Sequence, residues 1–178
     1  MEKTEEETIE LSVLRPEDAP RIAHLLGDPQ VHRFLSGAIP FPYTLKDAED
    51  FIALVRAEGS ALRNTFAVRA GGTLAGIAGY ELGRLDKSHV ATIGYWYGRE
   101  FWGRGIATAA LRKVLEKAAA DPAVRRVEAT AFALNGASLR VMGKCGFVRE
   151  AVLRSALCKQ GALYDEVISR WEGAETLF

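Results

Sequence analysis

One short segment, Trp102-Gly103-Arg104-Gly105-Ile106-Ala107-Thr108, restricts the fold more than any other. It joins a β-rich run ending at Tyr97 to an alanine-rich stretch with helical spacing. Two glycines one residue apart let the backbone take conformations closed to other residues. A helix that begins directly after such a turn presents unpaired N–H groups and its positive dipole end to whatever lies in the loop. An anion fits there, although the same pattern also makes an ordinary turn, so the neighbouring sequence has to decide.

Those neighbours predict a mostly antiparallel sheet. Ile9, Leu11 and Val13 alternate with polar residues as in a half-buried strand. Pro16 opens a helix carrying Ile22, Leu25 and Leu26, which Gly27 closes, and Asp28-Pro29 starts a short helical piece through Phe34. Pro40-Phe41-Pro42 imposes an extended link before a helix capped by Thr44 and Asp47, with Ala48, Phe51, Ile52 and Val55 at helical spacing up to Gly59. From Thr65 the period becomes strand-like, with Gly71-Gly72 turning into a partner strand from Leu74 to Leu82 and a third strand from Val90 to Tyr97. The glycine loop and its helix follow, the helix ending at Asp121-Pro122. Val127 to Ala131 forms a strand, Asn135 precedes a short helix of Leu139, Met142 and Cys145, and two closing strands run from Val148 to Ser155 and Leu163 to Trp171. The expected class is α/β (α+β), a mixed, mostly antiparallel sheet of about seven strands with about four helices. Residues 1–8 are expected to form a disordered acidic tail and residues 9–178 a single domain.

With 178 residues, 48% of them apolar, the chain can bury a real core. Its 23 basic and 23 acidic residues create no global field toward nucleic acid or an anionic membrane. Cys145 and Cys158 lie in no metal-type pairing and His24, His32 and His89 form no ligand cluster, so no metal is expected. The acidic start lacks the pattern of a secretory signal, no run is long and apolar enough to span a bilayer, and a cytoplasmic protein is expected.

Two common nucleotide loops are excluded by residue type. A nucleoside-triphosphate P-loop needs Gly-Lys-Ser or Gly-Lys-Thr where Ile106-Ala107-Thr108 stands. A dinucleotide fingerprint needs a third small residue at Thr108 and a parallel unit before it. What survives is a pyrophosphate loop after an antiparallel strand. Tyr95-Trp96-Tyr97 followed by Phe101-Trp102-Gly103-Arg104-Gly105-Ile106-Ala107-Thr108 resembles the acetyl-CoA signature of the GNAT N-acetyltransferases. Asn135-Gly136-Ala137-Ser138 with Lys144-Cys145-Gly146-Phe147, and Phe41-Pro42-Tyr43-Thr44 with Asp47-Ala48, resemble elements of the branch containing the ribosomal-protein-alanine N-acetyltransferases. The likeness runs from about Ile9 to Trp171.

That resemblance implies acetyl-CoA as co-substrate and a strand ending at Tyr97 that splays from its neighbour, exposing backbone to the pantetheine amides. It implies that N–H groups from Gly103 to Ala107 hold the pyrophosphate, with Arg104 adding charge, Trp102 packing beside the cofactor, and Ile106 and Thr108 completing the loop. Asn135 and Ser138 are carried over as a polar pair near the thioester; Asn135 can also act as a helix N-cap. The family's usual thiolate acid, a tyrosine, is replaced by Met142, which makes Ser138 the candidate acid. Thr92 and Thr130 stand where relatives place carboxylates. Glu81 is the candidate water-relayed base, with a solvated surface role as its alternative. Tyr43, Glu81 and Tyr164 are the candidates for acceptor binding.

The missing base bears on the acceptor. At pH 7 an α-amine with a pKa near 8 is roughly 10% neutral, against about 0.04% for a lysine amine near 10.4. The difference is about 3 kcal/mol, so a protein N-terminus suits an enzyme that leaves deprotonation to water. The expected reaction is direct acetyl transfer to a primary amine, most plainly a protein N-terminal one of ribosomal-protein type. A small amine such as a polyamine or aminoglycoside, or a non-catalytic CoA-binding module, are the alternatives. An apolar last strand offers a surface for a homodimer.

Overall fold

The computed structural model describes residues 8–57 and 59–173. The tail expected over residues 1–8 therefore falls, Thr8 apart, outside the described residues. Strand β1 (Ile9–Ser12) pairs antiparallel with β2 (Thr65–Ala70), which turns through Gly71 and Gly72, both at positive φ, into β3 (Thr73–Leu82). Strand β4 (Val90–Tyr97) completes the meander, antiparallel to β3 from Gly76↔Tyr97 to Leu82↔Ala91.

Helices α1 (Ala19–Leu26), α2 (Pro29–His32) and α3 (Leu45–Arg56) lie between β1 and β2. The short helical piece expected after Asp28 is α2, a single turn that ends at His32, two residues before Phe34. Thr44 and Asp47 cap α3 reciprocally, as their spacing predicts. Helix α4 (Ile106–Ala120) crosses over to β5 (Arg126–Phe132), which is parallel to β4. Helix α5 (Gly136–Lys144) leads to β6 (Phe147–Lys159) and β7 (Ala162–Trp171), so the seven-stranded order is β1-β2-β3-β4-β5-β7-β6.

Strand β6 runs four residues past the expected end at Ser155. Its ladder with β7 shifts register between Leu153 and Leu157, where Ser155 adopts φ 51°. Asp165 accepts from the Ser155 N–H at 2.9 Å and from Arg154 at 2.7 Å, which holds this irregularity together. A bulge of this kind breaks the two-residue period and hides the strand's continuation from a reading by alternation.

The two faces of the sheet are covered differently. Tyr80 donates its hydroxyl to Asp121 at the end of α4, at 2.9 Å, so the Tyr80, Ile93 and Tyr95 side faces α4 and α5. Ala110, Leu111, Val114, Leu115 and Ala118 of α4 are buried on that side. Removing the Leu111 side chain would cost roughly 2–5 kcal/mol. The segment from α1 to α3 covers the opposite face, where the Phe34 and Phe132 rings meet with centroids 5.7 Å apart.

Candidate active site

The glycine loop forms an open cradle of backbone donors. Gly103 and Gly105 take φ of 73° and 78°, a region costly for a side chain with Cβ, and a Cβ at either would meet nothing within 4 Å. Gly105 is the N-cap of the 15-residue α4 and offers no side chain to it. Among the described residues, the N–H groups of Gly103, Gly105, Ile106 and Ala107 donate to no protein acceptor. Open space, uncapped donors and the dipole end of a long helix suit a diphosphate. Arg104 lies in the loop with its Nη1 3.4 Å from the Glu100 carbonyl. The Ile106 side chain is buried in the core, and Thr108 offers its carbonyl to the Cys145 thiol at 3.6 Å. Trp102 is 49% exposed, and its indole N–H donates to the Tyr97 carbonyl at 2.9 Å, which folds the ring back over the end of β4.

The gap beside this cradle comes from strand register. Pairing between β4 and β5 stops at Ile93↔Ala129, yet β4 continues to Tyr97 and β5 to Phe132. The last four residues of β4 therefore keep β3 on one side and have no strand on the other. Gly94 is exposed with open space where a Cβ would sit, whereas a Cβ on Gly98 would press 2.5 Å from Leu25 of α1. Trp96, half-buried, points to the face opposite Tyr95 and Tyr97.

Tyr95 and Ser138 meet in this gap. The Tyr95 hydroxyl is 2.8 Å from Ser138 Oγ and also donates to the Ser138 carbonyl at 3.3 Å. Asn135 is the N-cap of α5, and its Oδ1 accepts from the Ser138 N–H at 3.2 Å, which fixes the serine in the first helical turn. Burial pushes the Tyr95 phenol up to about 12, so it stays protonated at neutral pH. The Tyr97 ring lies 5.9 Å from that of Tyr95, and its buried hydroxyl has no partner among the described residues. Met142 is fully buried in the core.

The Tyr95-Trp96-Tyr97 motif assigns Tyr95 only a place in the cofactor strand and carries no sign of its hydroxyl partnership with Ser138. The available signal was its parity: Ile93, Tyr95 and Tyr97 share the face on which α5 packs.

Glu81, Tyr43 and Tyr164 are not brought to Ser138. Glu81 is exposed and pairs in register with Thr92, which places it on the face opposite Tyr95. Tyr164 meets Phe132 edge-on at 5.4 Å on that same face, and Phe132 in turn meets Phe34. Tyr43 is half-buried against the core, and burial, then the nearby Asp47 carboxylate, raise its phenol to about 12. The Asp165 carboxylate is occupied by Ser155 and Arg154, which hold it below the usual range. Among the described residues no group of three or more His, Cys, Asp or Glu could hold a metal, and no helix is long and apolar enough to cross a membrane.

Residues 8–148 match the acetyltransferase (GNAT) domain. YdaF of Bacillus subtilis (strain 168), provisionally named a ribosomal N-acetyltransferase, is 31% identical over 181 residues, covering 94% of this chain and 95% of YdaF. The microcin C7 self-immunity acetyltransferase MccE, solved with acetyl-CoA and AMP, shares the fold at a TM-score of 0.76 and 22% identity over 91% of each chain. RimL, an acetyltransferase of the ribosomal L7/L12 α-amine solved with coenzyme A, does so at a TM-score of 0.78 and 19% identity, over 92% and 93% of the two chains. With a cradle suited to a diphosphate, a splayed β4 and a domain match over most of its length, this chain belongs to the GNAT family and is an acetyl-CoA-dependent N-acetyltransferase.

Proposed function

We propose that the acceptor is a protein N-terminal α-amine, of the ribosomal-protein type. The observation that carries this reading is the hydroxyl pair: among the described residues Ser138 Oγ is met by the Tyr95 phenol at 2.8 Å and by no carboxylate. An enzyme arranged in this way has protonating power at the thioester, while its candidate base, Glu81, lies on the opposite face and reaches the amine only through water. It is best served by an amine already partly neutral, and an α-amine is neutral at pH 7 more than 100-fold more often than lysine. The provisional name of YdaF points the same way.

In this reading, the N–H groups of Gly103 to Ala107 and the Arg104 charge hold the acetyl-CoA diphosphate, and unpaired backbone of Gly94 to Tyr97 receives the pantetheine arm. Tyr95, Trp96, Tyr97, Trp102 and Asn135 shape the donor side. The amine nitrogen attacks the thioester carbonyl, forming the C–N bond. The tetrahedral intermediate collapses by breaking the C–S bond, Ser138 supplies the proton to the departing thiolate, and a proton from solvent restores Ser138 through the Tyr95 hydroxyl 2.8 Å away. Glu81, on the face from which the acceptor enters, takes the amine proton through water, while Tyr43 and Tyr164 border the acceptor.

Thiol release from acetyl-CoA tests this with three acceptors: a peptide with a free N-terminus, the same peptide N-terminally blocked but bearing a lysine, and spermidine. The free N-terminus should exceed the lysine in kcat/KM by about 100-fold at pH 7. Preference for spermidine or lysine would overturn the acceptor assignment. Coenzyme A binding without turnover of any amine would identify a binding module instead.

A further inference from the structure

We infer that Lys159 is a positioning residue for the acceptor, holding the aromatic wall on the acceptor face in place from the far end of the β6–β7 hairpin. Its ammonium donates to the carbonyls of His32 at 2.7 Å, Arg33 at 3.2 Å and Leu35 at 2.8 Å. An ammonium has three N–H donors, and all three are used. The carbonyls belong to residues on either side of Phe34, so the lysine fixes the backbone that carries this ring across more than 120 residues of sequence.

Phe34 is gripped from two directions. The Arg33 guanidinium lies 4.9 Å from its centroid, and Phe132, the last residue of β5 beyond the splay, meets it at 5.7 Å. Tyr164 completes the wall at 5.4 Å from Phe132, and Lys159 Nζ itself sits 6.0 Å from the Phe132 centroid. Further along the same link, His32 Nε2 lies 2.9 Å from the Ile39 carbonyl and its ring meets Phe41 at 4.8 Å. The hairpin and the α2–α3 link are thus joined through one side chain, directly over three rings that line the acceptor side.

The lysine makes no ion pair among the described residues, and desolvation lowers its pKa from the ordinary lysine value. Stability alone is served more simply by an apolar side chain at a half-buried strand end, because a desolvated ammonium costs free energy that carbonyl dipoles offset only in part. What carbonyl ligation adds is direction: three donors set the position of the 32–35 backbone relative to Phe132.

The inference rests on the acceptor entering on this face, whichever amine it is, and is tested with whichever amine the panel above turns over. Lys159→Met should raise the acceptor KM about tenfold, with kcat and the acetyl-CoA KM within about twofold of the parent. Phe34→Leu, which keeps an apolar side chain, should raise the acceptor KM about threefold by the worth of an aromatic contact, again with the acetyl-CoA KM unmoved. The double variant should lose less than the product of the two, since both act on one wall. An acetyl-CoA KM that rises in step would make Lys159 a general structural tie. An unmoved acceptor KM in both variants would overturn the inference, even where a peptide N-terminus proves to be the acceptor. If Lys159→Met does not fold, Phe34→Leu alone decides between these outcomes.

Discussion

The two sides of the splayed sheet are built on different principles. In the proposed reading the donor is recognised through backbone: Gly103 and Gly105 at positive φ, the uncapped start of α4 and the last residues of β4, which pair only with β3. The acceptor is proposed to meet side chains gathered from distant segments: Phe34, Phe132, Tyr164 and Lys159 come from four elements or links. A backbone site tolerates almost any side chain that leaves it uncovered, and it suits a donor that never changes. A side-chain site can be remodelled by single substitutions, which suits an acceptor that varies between relatives.

Substitutions confined to one side should move one substrate only. The largest effect is expected from Gly105→Val, where a β-branched residue would have to hold φ 78° and would cover the cradle. Strain together with lost charge-assisted hydrogen bonds should raise the acetyl-CoA KM roughly several hundredfold while the acceptor KM stays put, read by steady-state kinetics with each substrate varied. An equal rise in both would remove the distinction between the sides. Ser138→Ala should lower kcat about 100-fold, the lower end of the range for general acid catalysis, with both KM values little changed. A kcat within threefold of the parent would take the thiolate proton away from Ser138.

On the proposed acceptor face, Glu81→Gln should lower kcat/KM for the amine about tenfold. If the rate stays as it was, Glu81 is a solvated surface residue and bulk water takes the proton.

The smallest effect concerns stability. Tyr95 keeps its proton in the fold up to about pH 12, whereas in the unfolded chain it ionises near 10. Between those values the unfolded state has released a proton that the folded state retains, so stability is present below about pH 10 and falls as pH rises toward 12. The slope is about 1.4 kcal/mol per pH unit. Tyr95→Phe should flatten this loss in alkaline melts, and Tyr43→Phe, whose phenol is also pushed up to about 12, should flatten it to a similar extent. A slope unchanged from the parent in either variant would contradict the raised phenol at that position.

The same contrast explains what could be read from the sequence. The cradle was legible because its causes are local: Gly103, Gly105 and the helix that follows lie within a few residues of each other. The Thr44 and Asp47 cap and the meander through Gly71-Gly72 were legible for the same reason. The Tyr95 and Ser138 pair was half legible, since each residue stood in a recognisable motif but their contact spans 43 residues. Lys159 gave no signal at all: as one of many charged residues in a hairpin, it gains meaning only when the fold carries the 32–35 backbone over it. The end of β6 was misplaced because the register shift at Ser155 interrupts the alternation on which strands are recognised.

The central claim is that backbone amides on one side of the splay hold the donor and the opposite face receives the acceptor. An amide-resolved NMR titration with coenzyme A alone tests it most directly. The largest shifts should fall on Gly103, Gly105, Ile106 and Ala107, followed by Gly94 to Tyr97, with Phe34, Glu81, Lys159 and Tyr164 nearly still. Largest shifts at Phe34, Glu81 or Lys159, with the loop amides unmoved, would contradict it.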